Sequence, residues 1–253
     1  MFKKLTIIIL LAIIIFLIFY GLNKIPKVND NFENNKIPKI IIQTWKDNNI
    51  PEKYKKDIES IKKNNPDFKY LFFTDVDIDY FIKKYYPQYY DTYLKLPIII
   101  QKIDFFRYIA VYHYGGFYFD LDITGLEPIK ELLHYDCIFP VDQNISHKKC
   151  EWERLKEYCD KGQYFLLGQY AFGAKPKNKF IKKLIDSIGS NIDIYIKNKD
   201  EKSLSYVYKS TGPDFVTDIY MDYNDKKNIH ILHYNMAQYF GKYAKHNHYG
   251  TWK

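Results

Sequence analysis

The stretch from Gln101 to Asp122 constrains the fold of this 253-residue chain more than any other. Apolar residues recur every three or four positions through its first half, which predicts a helix. Gly115 is the expected end of that helix, because glycine accepts the left-handed conformation that closes one. The aromatic run at 117–119 is typical of a buried strand, and Asp120 and Asp122 follow it directly. The chain is therefore predicted to pass from a helix through a glycine turn into a strand that ends in two carboxylates.

Four charged side chains of this stretch form a candidate active site. Side chains two apart in a strand point the same way, so Asp120 and Asp122 are predicted to face one site. Asp104 and Arg107 lie three apart and share one face of the preceding helix. Carboxylate oxygens are the hard ligands that a divalent ion bridging a diphosphate requires. Spacing alone leaves a second interpretation open, in which Asp104 and Arg107 form an ordinary helix salt bridge and the other two aspartates end a strand at the surface.

The order of elements before this stretch predicts an α/β fold. The apolar run at 40–42 is typical of a buried parallel strand, a helix is predicted from Pro51 to about Asn64, and residues 68–73 predict a second strand. The Asp-x-Asp spacing recurs at 75–79, where we interpret the aspartates as the start of another helix. Strand–helix–strand–helix order predicts right-handed crossovers and a mostly parallel sheet flanked by helices. With 47% apolar residues, the chain suits one globular domain.

The second half of the chain is less regular. Strands are predicted at 138–141 and 170–174, and a helix at 179–188. Residues 143–163 show no clear periodicity and are predicted to form a loop or lid. Loops on a rigid scaffold commonly select the acceptor in enzymes that transfer a group.

The charge and the cysteines exclude some classes of function. Half of the net charge of +8 lies before Ile40, and the remainder is mixed, without the long basic block of a nucleic-acid-binding arm. The three cysteines do not have a metal-ligand spacing. Either Cys150 and Cys159 bridge a local loop and leave Cys137 buried, or all three thiols are free.

An uninterrupted uncharged run from Leu5 to Leu22 precedes the predicted domain. As a helix its 18 residues would span roughly 27 Å, close to the hydrocarbon thickness of a bilayer. The run is longer than a usual signal-peptide core and lacks a small-x-small cleavage site, so an uncleaved anchor is favoured over a cleaved signal peptide. Residues 1–4 would then be a short cytosolic tail, 23–36 a stem and 37–253 the domain. This orientation makes a single-pass type II membrane protein with its domain on the lumenal or exterior side.

The central block carries a recognisable pattern, which reads Asp104-x-x-Arg107-Tyr108 and then Gly115-Gly116-x-Tyr118-x-Asp120-x-Asp122. It resembles the signature of the DXD-containing sugar transferases of glycosyltransferase family 32. That family includes initiating mannosyltransferases and inositol-phosphoceramide mannosyltransferases, and the glucosylating domains of clostridial toxins resemble it more distantly. Three further segments are similar to family motifs: Ile37–Trp45, Thr211-Gly212-Pro213, and the ending His246 to Trp252. The resemblance thus covers about residues 37 to 253.

The resemblance implies a single Rossmann-like nucleotide-sugar-binding domain of the GT-A type. It implies a metal-dependent, retaining transfer of a hexose from a nucleotide diphosphate sugar to a glycan or glycolipid. GDP-mannose is the first candidate donor, with UDP-hexoses as alternatives. We weigh two rivals, a glycosidase with paired carboxylates and no metal, and a membrane-anchored sugar-binding protein without catalysis.

The resemblance also assigns roles to individual residues. The catalytic residues would be Asp104, Arg107, Asp120 and Asp122. The nucleotide sugar would be bound by Gln43, Trp45, Asp104, Arg107, Tyr118, Asp120, Gly212, Thr251 and Trp252. Mn²⁺ or Mg²⁺ would be held mainly by Asp122, through water or sugar by Asp120, and possible further ligands are His246, His248 and Thr251. Trp45 would stack on the base, or alternatively pack a loop against the core. The histidines would contact metal or phosphate, or alternatively be structural.

Overall fold

The computed structural model describes residues 36–197 and 204–250, all within one compact unit, Phe32–Lys253. The predicted tail at 1–4, the anchor at 5–22 and the stem up to residue 35 lie outside the described residues, as do Thr251 and Trp252. Among the residues that are described, no helix combines the length and the apolar content needed to cross a bilayer.

The described residues contain nine α-helices and ten strands. The helices are α1 (Glu52–Asn64), α2 (Asp75–Tyr85), α3 (Pro87–Lys95), α4 (Ile99–Tyr114), α5 (Glu153–Asp160), α6 (Lys179–Ser190), α7 (Ile192–Lys197), α8 (Leu204–Ser210) and α9 (Pro213–Met221). The strands are β1 (Ile40–Thr44), β2 (Lys69–Phe73), β3 (Gly116–Phe119), β4 (Ile123–Gly125), β5 (Cys137–Asn144), β6 (Phe165–Leu167), β7 (Ala171–Ala174), β8 (His230–Leu232), β9 (Tyr239–Phe240) and β10 (Ala244–His246).

A seven-stranded sheet forms the centre of the described chain. Its order is β2-β1-β3-β7-β5-β6, and β8 pairs with β5. Five of these strands run in one direction, while β7 and β6 are antiparallel to their neighbours. The mixed α/β fold with a mostly parallel sheet is thus confirmed, and β7 and β6 are the departures from the expected parallel order. Because β1, β3 and β5 run the same way, their carboxyl ends meet at one edge of the sheet.

A second, three-stranded sheet brings distant parts of the chain together. Its order is β4-β10-β9, and His246 on β10 pairs with Ile123 on β4. Asp57 on α1 holds this sheet in place, since its carboxylate accepts hydrogen bonds from Thr124 and Asn247. The segment after β10 consequently lies beside the residues that follow β3.

Helix α4 lies inside the molecule. Phe106 and Ile109 are fully buried, and Phe106 packs edge-on against Phe73 of β2 and Phe81 of α2 at 5.1 and 5.8 Å between ring centroids. A helix that is apolar on most sides is typical of a core position. Charged residues on this helix are therefore desolvated unless they reach a cavity.

Residues 143–163 are more ordered than predicted. They contain the end of β5, a short 3-10 helix at His147–Glu151 and α5, rather than a loop. The disulfide Cys150–Cys159 ties the two helices together, and Leu155 packs on Ile145 in a small buried cluster. The bridged alternative is therefore confirmed and Cys137 is a buried free thiol, whereas the prediction of a loop was wrong. Helix α5 has only eight residues, which is too short to show a clear apolar period in the sequence. A disulfide and tertiary contacts stabilise it instead.

The glycine turn between α4 and β3 depends on close backbone approach. Gly116 has φ +89°, and a Cβ added there would lie 2.4 Å from the carbonyl oxygen of Ile40. We expect Gly116→Ala to destabilise the fold by about 2–4 kcal/mol, because both the left-handed backbone and the clash with β1 oppose a side chain. Urea unfolding followed by circular dichroism measures the change.

Gly162→Ala is the matched control for that prediction. Gly162 also has positive φ, at +74°, but no atom lies within 4 Å of an added Cβ. Only the backbone cost of about 1–2 kcal/mol applies there. Equal destabilisation by the two variants would show that the contact with Ile40 is not the cause.

Candidate functional site

A cavity of about 770 Å³ opens at the sheet edge where β1, β3 and β5 end. This volume is typical of sites for small-molecule ligands. The four charged residues predicted as catalytic, Asp104, Arg107, Asp120 and Asp122, all line it. The helix salt bridge of the alternative interpretation is present, but Asp104 and Arg107 line the same cavity as the two aspartates that follow β3.

Arg107 connects two of the carboxylates. Its Nη2 donates to Oδ1 of Asp104 and to Oδ1 of Asp120, each at 3.1 Å, and its Nη1 donates to the carbonyl of Gln169 at 3.0 Å. The guanidinium lies 4.7 Å from the ring centre of Tyr118. Arg107 Nε is buried without a hydrogen-bond partner among the described residues. The side chain is thus held rigidly, and its Nε donor is unused in the described residues.

Asp104 is anchored from a remote part of the chain. It is 1% exposed, and its Oδ2 accepts from the Thr211 hydroxyl at 2.7 Å. Burial raises the pKa of Asp104 to about 6, although the Arg107 guanidinium and the Thr211 hydrogen bond oppose the rise. Burial likewise raises the pKa of Asp120, and Arg107 opposes this too. The positive charge of Arg107 therefore favours the ionised form of both desolvated carboxylates.

Asp122 is held in a different way. Its Oδ1 is 3.3 Å from Nε2 of His246, and its Oδ2 accepts from the backbone N–H of Tyr249 at 2.9 Å. Burial alone would raise the pKa of Asp122, but the contacts with His246 and Tyr249 outweigh it and leave the pKa below its usual range. Asp122 is thus the carboxylate most firmly ionised at neutral pH.

Asp120, Asp122 and His246 form a group suited to a divalent ion. One ligand atom from each lies within 4.8 Å of the others. Carboxylates with an imidazole are ligands for Mn²⁺, and carboxylates with water suit Mg²⁺. The three acids and one guanidinium at the site carry a formal charge of −2 when ionised. A diphosphate would be repelled by this charge unless a cation bound with it.

One end of the cavity is aromatic. Trp45 follows β1 and lies tilted against Tyr54 of α1, with ring centroids 4.9 Å apart. The indole N–H of Trp45 is buried with no hydrogen-bond partner in the described part of the chain. Asp75 also lines this end, while the helix cap itself is made by Thr74 and Asp77. A flat ring with a hydrogen-bond acceptor would satisfy the indole and stack on a hydrophobic wall.

Not every predicted ligand-binding residue reaches the cavity. Gln43 is fully buried and does not line the cavity, so its predicted direct contact with the nucleotide has no support in this geometry. Its side chain donates to the backbone oxygen of Asp120 at 3.1 Å and accepts from the Tyr70 hydroxyl at 2.8 Å. Gln43 ends a strand whose alternate side chains point into the core, and it supports the Asp120 turn from behind.

Other predicted residues lie at the cavity. Tyr118, Gly212, His246 and His248 line it. The Tyr118 hydroxyl donates to Asp120 Oδ1 at 2.9 Å, which links it to the acid cluster. Gly212 is the N-cap of α9, and Pro213 is the first residue of that helix. Thr251 and Trp252 are not among the described residues.

Several cavity residues were not predicted as ligands. Gln169 lines the wall with its amide 3.5 Å from Asp104, and Asp142, Arg154 and Tyr170 line the side formed by β5 and α5. Asp142 follows the strand predicted at 138–141, and Arg154 lies in the segment predicted as a loop. Asp57 was also missed: its Oδ2 accepts from the Tyr249 hydroxyl at 3.1 Å and so positions the segment that bonds Asp122. No local pattern marks such residues, because their partners are remote in sequence.

Comparison with known proteins agrees with this geometry. Residues 51–139 match the family described as the glycosyltransferase sugar-binding region containing the DXD motif. The chain is 30% identical over 189 residues to inositol phosphoceramide mannosyltransferase 1 of Schizosaccharomyces pombe, covering 73% of this chain and 51% of that protein. It is 30% identical over 187 residues to a mannosyl phosphorylinositol ceramide synthase of Saccharomyces cerevisiae, covering 74% of this chain and 43% of that protein.

A solved structure shares the fold. The PaToxG glycosyltransferase superposes with a TM-score of 0.52 at 19% identity, over 76% of this chain and 71% of that one. The family match and the two yeast relatives confirm the resemblance to DXD-containing sugar transferases. The chain spans about half the length of the first curated relative it matches, or less for the second.

Proposed function

We propose that this chain, which carries the sugar-binding region of DXD-containing glycosyltransferases, is a metal-dependent retaining hexosyltransferase of the GT-A type. It would move a hexose from a nucleotide diphosphate sugar to a glycan or glycolipid acceptor. One observation carries the proposal: the group Asp120, Asp122 and His246 lies at the same cavity as the buried Asp104–Arg107 pair. The alternation of strands and helices along the chain, with a mostly parallel sheet, supports a Rossmann-like domain spanning 37–253.

The residues that would hold Mn²⁺ or Mg²⁺ are Asp122, Asp120 and His246, with His248 and Thr251 as further candidates. The ion would neutralise charge on the departing diphosphate, which is the Lewis-acid role of a catalytic metal. Asp122 is suited to be the principal ligand, because the His246 and Tyr249 contacts lower its pKa and hold its orientation.

Arg107 and Asp104 would orient the sugar. Arg107 is fixed by two carboxylates and a carbonyl, and its Nε remains to donate to a ligand. Asp104 would accept from a sugar hydroxyl, since an ionised carboxylate offers about four acceptor positions. Preorganised charges of this kind stabilise the positive charge that develops on a sugar as its leaving group departs.

Trp45 and Gly212 would bind the nucleotide, with the base stacked in the aromatic end of the cavity. GDP-mannose is the first candidate donor, because the named activities of the fungal relatives are mannosyl transfers. UDP-hexoses are the alternatives. The named acceptors of those relatives are inositol-containing ceramides, which supports a glycolipid acceptor here.

The uncharged run from Leu5 to Leu22 supports a further proposal, that the protein is a type II membrane protein with residues 1–4 in the cytosol. Its stem at 23–36 would join the anchor to a lumenal or exterior domain. Resistance to alkaline carbonate extraction, with the domain protected from added protease in sealed vesicles, is the expected result. Release of the full-length chain by carbonate would contradict the anchor.

Thermal unfolding with a panel of nucleotide sugars tests the activity proposal. At a hundredfold excess over Kd, a ligand that binds the native state adds about 2.7 kcal/mol. For a domain of this size that raises Tm by about 5–10 °C. We expect this rise with GDP-mannose or a UDP-hexose together with Mn²⁺, and its loss with EDTA. Sugar hydrolysis that is insensitive to EDTA would favour a glycosidase, and metal-dependent binding without any turnover would favour a sugar-binding protein.

A further inference from the structure

Strand β5 and helix α5 form one wall of the cavity. This wall carries charged groups that take no part in the proposed binding of the donor. Asp142 lies near the carboxyl end of β5 and lines the cavity. Within residues 36–197 and 204–250, its carboxylate has no hydrogen-bond partner. Burial raises the pKa of Asp142 to about 6, opposed by the nearby positive charge of Arg154 and by His246. Asp142 is half-buried, and a carboxylate without a protein partner can accept a hydrogen bond from a ligand.

Tyr170 provides an independent observation at the same place. It lines the cavity beside Asp142, which influences its pKa, and its ring stacks on His246 with centroids 4.5 Å apart. Only 4% of Tyr170 is exposed, and its hydroxyl is buried with no hydrogen-bond partner among the described residues. The Tyr170 hydroxyl thus lacks the partner that buried polar groups normally have, and it lies beside a carboxylate whose acceptors are unused.

Arg154 completes the wall. Its Nε donates to Oδ2 of the fully buried Asp214 at 2.9 Å, its Nη2 contacts Oδ1 of the same residue, and its guanidinium covers the ring of Tyr208 at 4.7 Å. Asp142, Arg154 and Asp214 together carry a net charge of −1 when ionised. A phosphate would be repelled by this group, whereas a neutral polyol matches its mixture of donors and acceptors.

The sheet order determines where this wall lies relative to the donor site. β3, which leads to Asp120 and Asp122, lies between β1, which leads to Trp45, and β5, which carries Asp142. Three strand spacings separate β1 from β5, or about 14 Å. A base at Trp45 and phosphates at the acid cluster leave the β5 end for the second substrate. The arrangement therefore has one end for a nucleotide and another for a hydroxyl-bearing molecule.

We infer that Asp142, Tyr170 and Arg154 form the acceptor subsite, which binds the hydroxyl groups of a neutral hexose or cyclitol. The inference rests on the proposed transferase function. Asp142 accepts from an acceptor hydroxyl, Tyr170 donates to or accepts from a neighbouring one, and Arg154 donates from the nitrogen that Asp214 does not use. These residues then decide which acceptor binds, while the donor is held elsewhere.

The test compares acceptor and nucleotide affinities in Asp142→Asn and Tyr170→Phe, in the full chain. Probe acceptors are methyl α-mannoside and myo-inositol, with GDP-mannose or the UDP-hexose that supports turnover as donor. We expect the acceptor KM to rise at least tenfold in Asp142→Asn and several-fold in Tyr170→Phe, because each loses a hydrogen bond to the acceptor. GDP–Mn²⁺ or UDP–Mn²⁺ affinity, measured by calorimetry, is expected to stay within twofold. Asp160→Asn, on the exposed side of α5, is the control.

The outcomes separate this inference from the proposed function. An unchanged acceptor KM in Asp142→Asn, or an equal loss of nucleotide affinity, would overturn the acceptor subsite while leaving the transferase proposal standing. Wild-type protein that binds neither nucleotide with Mn²⁺ would overturn both. Tyr170→Phe removes a hydroxyl that has no partner among the described residues, so the variant protein is expected to fold with an unchanged Tm. If the Asp142→Asn variant is unstable, the acceptor KM of the Tyr170→Phe variant still tests the subsite.

Discussion

Asp122→Asn is expected to lower kcat/KM for metal-dependent transfer by about 10³-fold. Asp122 has a lowered pKa and is held by His246 and by the Tyr249 N–H, so it is the ligand best prepared for a divalent ion. Asparagine keeps the shape but removes the charge that attracts the cation. Calorimetry with Mn²⁺ and nucleotide, beside transfer from the donor panel, measures both the binding and the catalytic loss. The stability of the fold is expected to change little.

Asp79→Asn is the matched control for this prediction. Asp77 and Asp79 have the same Asp-x-Asp spacing, but they lie on α2, where Asp77 belongs to the capping box and Asp79 accepts from the Tyr90 hydroxyl. Activity within twofold of wild type is expected. Near-normal transfer by folded Asp122→Asn protein would refute its role as the main metal ligand.

Arg107→Met is expected to cause the largest loss of stability, about 3–5 kcal/mol at pH 7.5. The guanidinium is buried between Asp104 and Asp120, and methionine would fill the space but leave two desolvated carboxylates unpaired. Urea unfolding measures the loss. Lys161→Met, which removes an exposed ion pair with Glu157 on α5, is the control and is expected to cost less than about 1 kcal/mol.

The pH dependence distinguishes charge from packing in the Arg107 variant. Without Arg107 the pKa values of Asp104 and Asp120 rise further above their unfolded values. A raised carboxyl pKa means that stability is greatest below the unfolded pKa of about 4 and is lost as pH rises through the folded value. The gap between wild type and variant is therefore expected to shrink at pH 4.5. A gap that is the same at pH 4.5 and 7.5 would show that lost packing, not charge, destabilises the variant.

Local signals in the sequence predicted much of the first half of the fold. The helix ending at Asn64, the strand ending at Phe73 and the stop of α4 at Gly115 agree with the structure. Each depends on periodicity, on a cap or on a glycine, all of which act over a few residues. The pairing of Asp104 with Arg107 could be predicted from the sequence for the same reason, because residues three apart share a helix face.

Contacts between remote segments decided the rest. Thr211 reaches Asp104 across 107 positions, and Tyr249 reaches Asp122 across 127. Remote contacts also placed Asp142 and Arg154 at the same cavity, although Arg154 lies in a segment predicted as a loop. They likewise placed Gln43 behind the site, where its side chain supports the Asp120 turn. The sequence alone determined which local elements form and where the acidic pair ends a strand, because those properties follow from near neighbours. Only the tertiary structure decided which side chains share the cavity, because burial and charge pairing depend on how the sheet brings distant strands together.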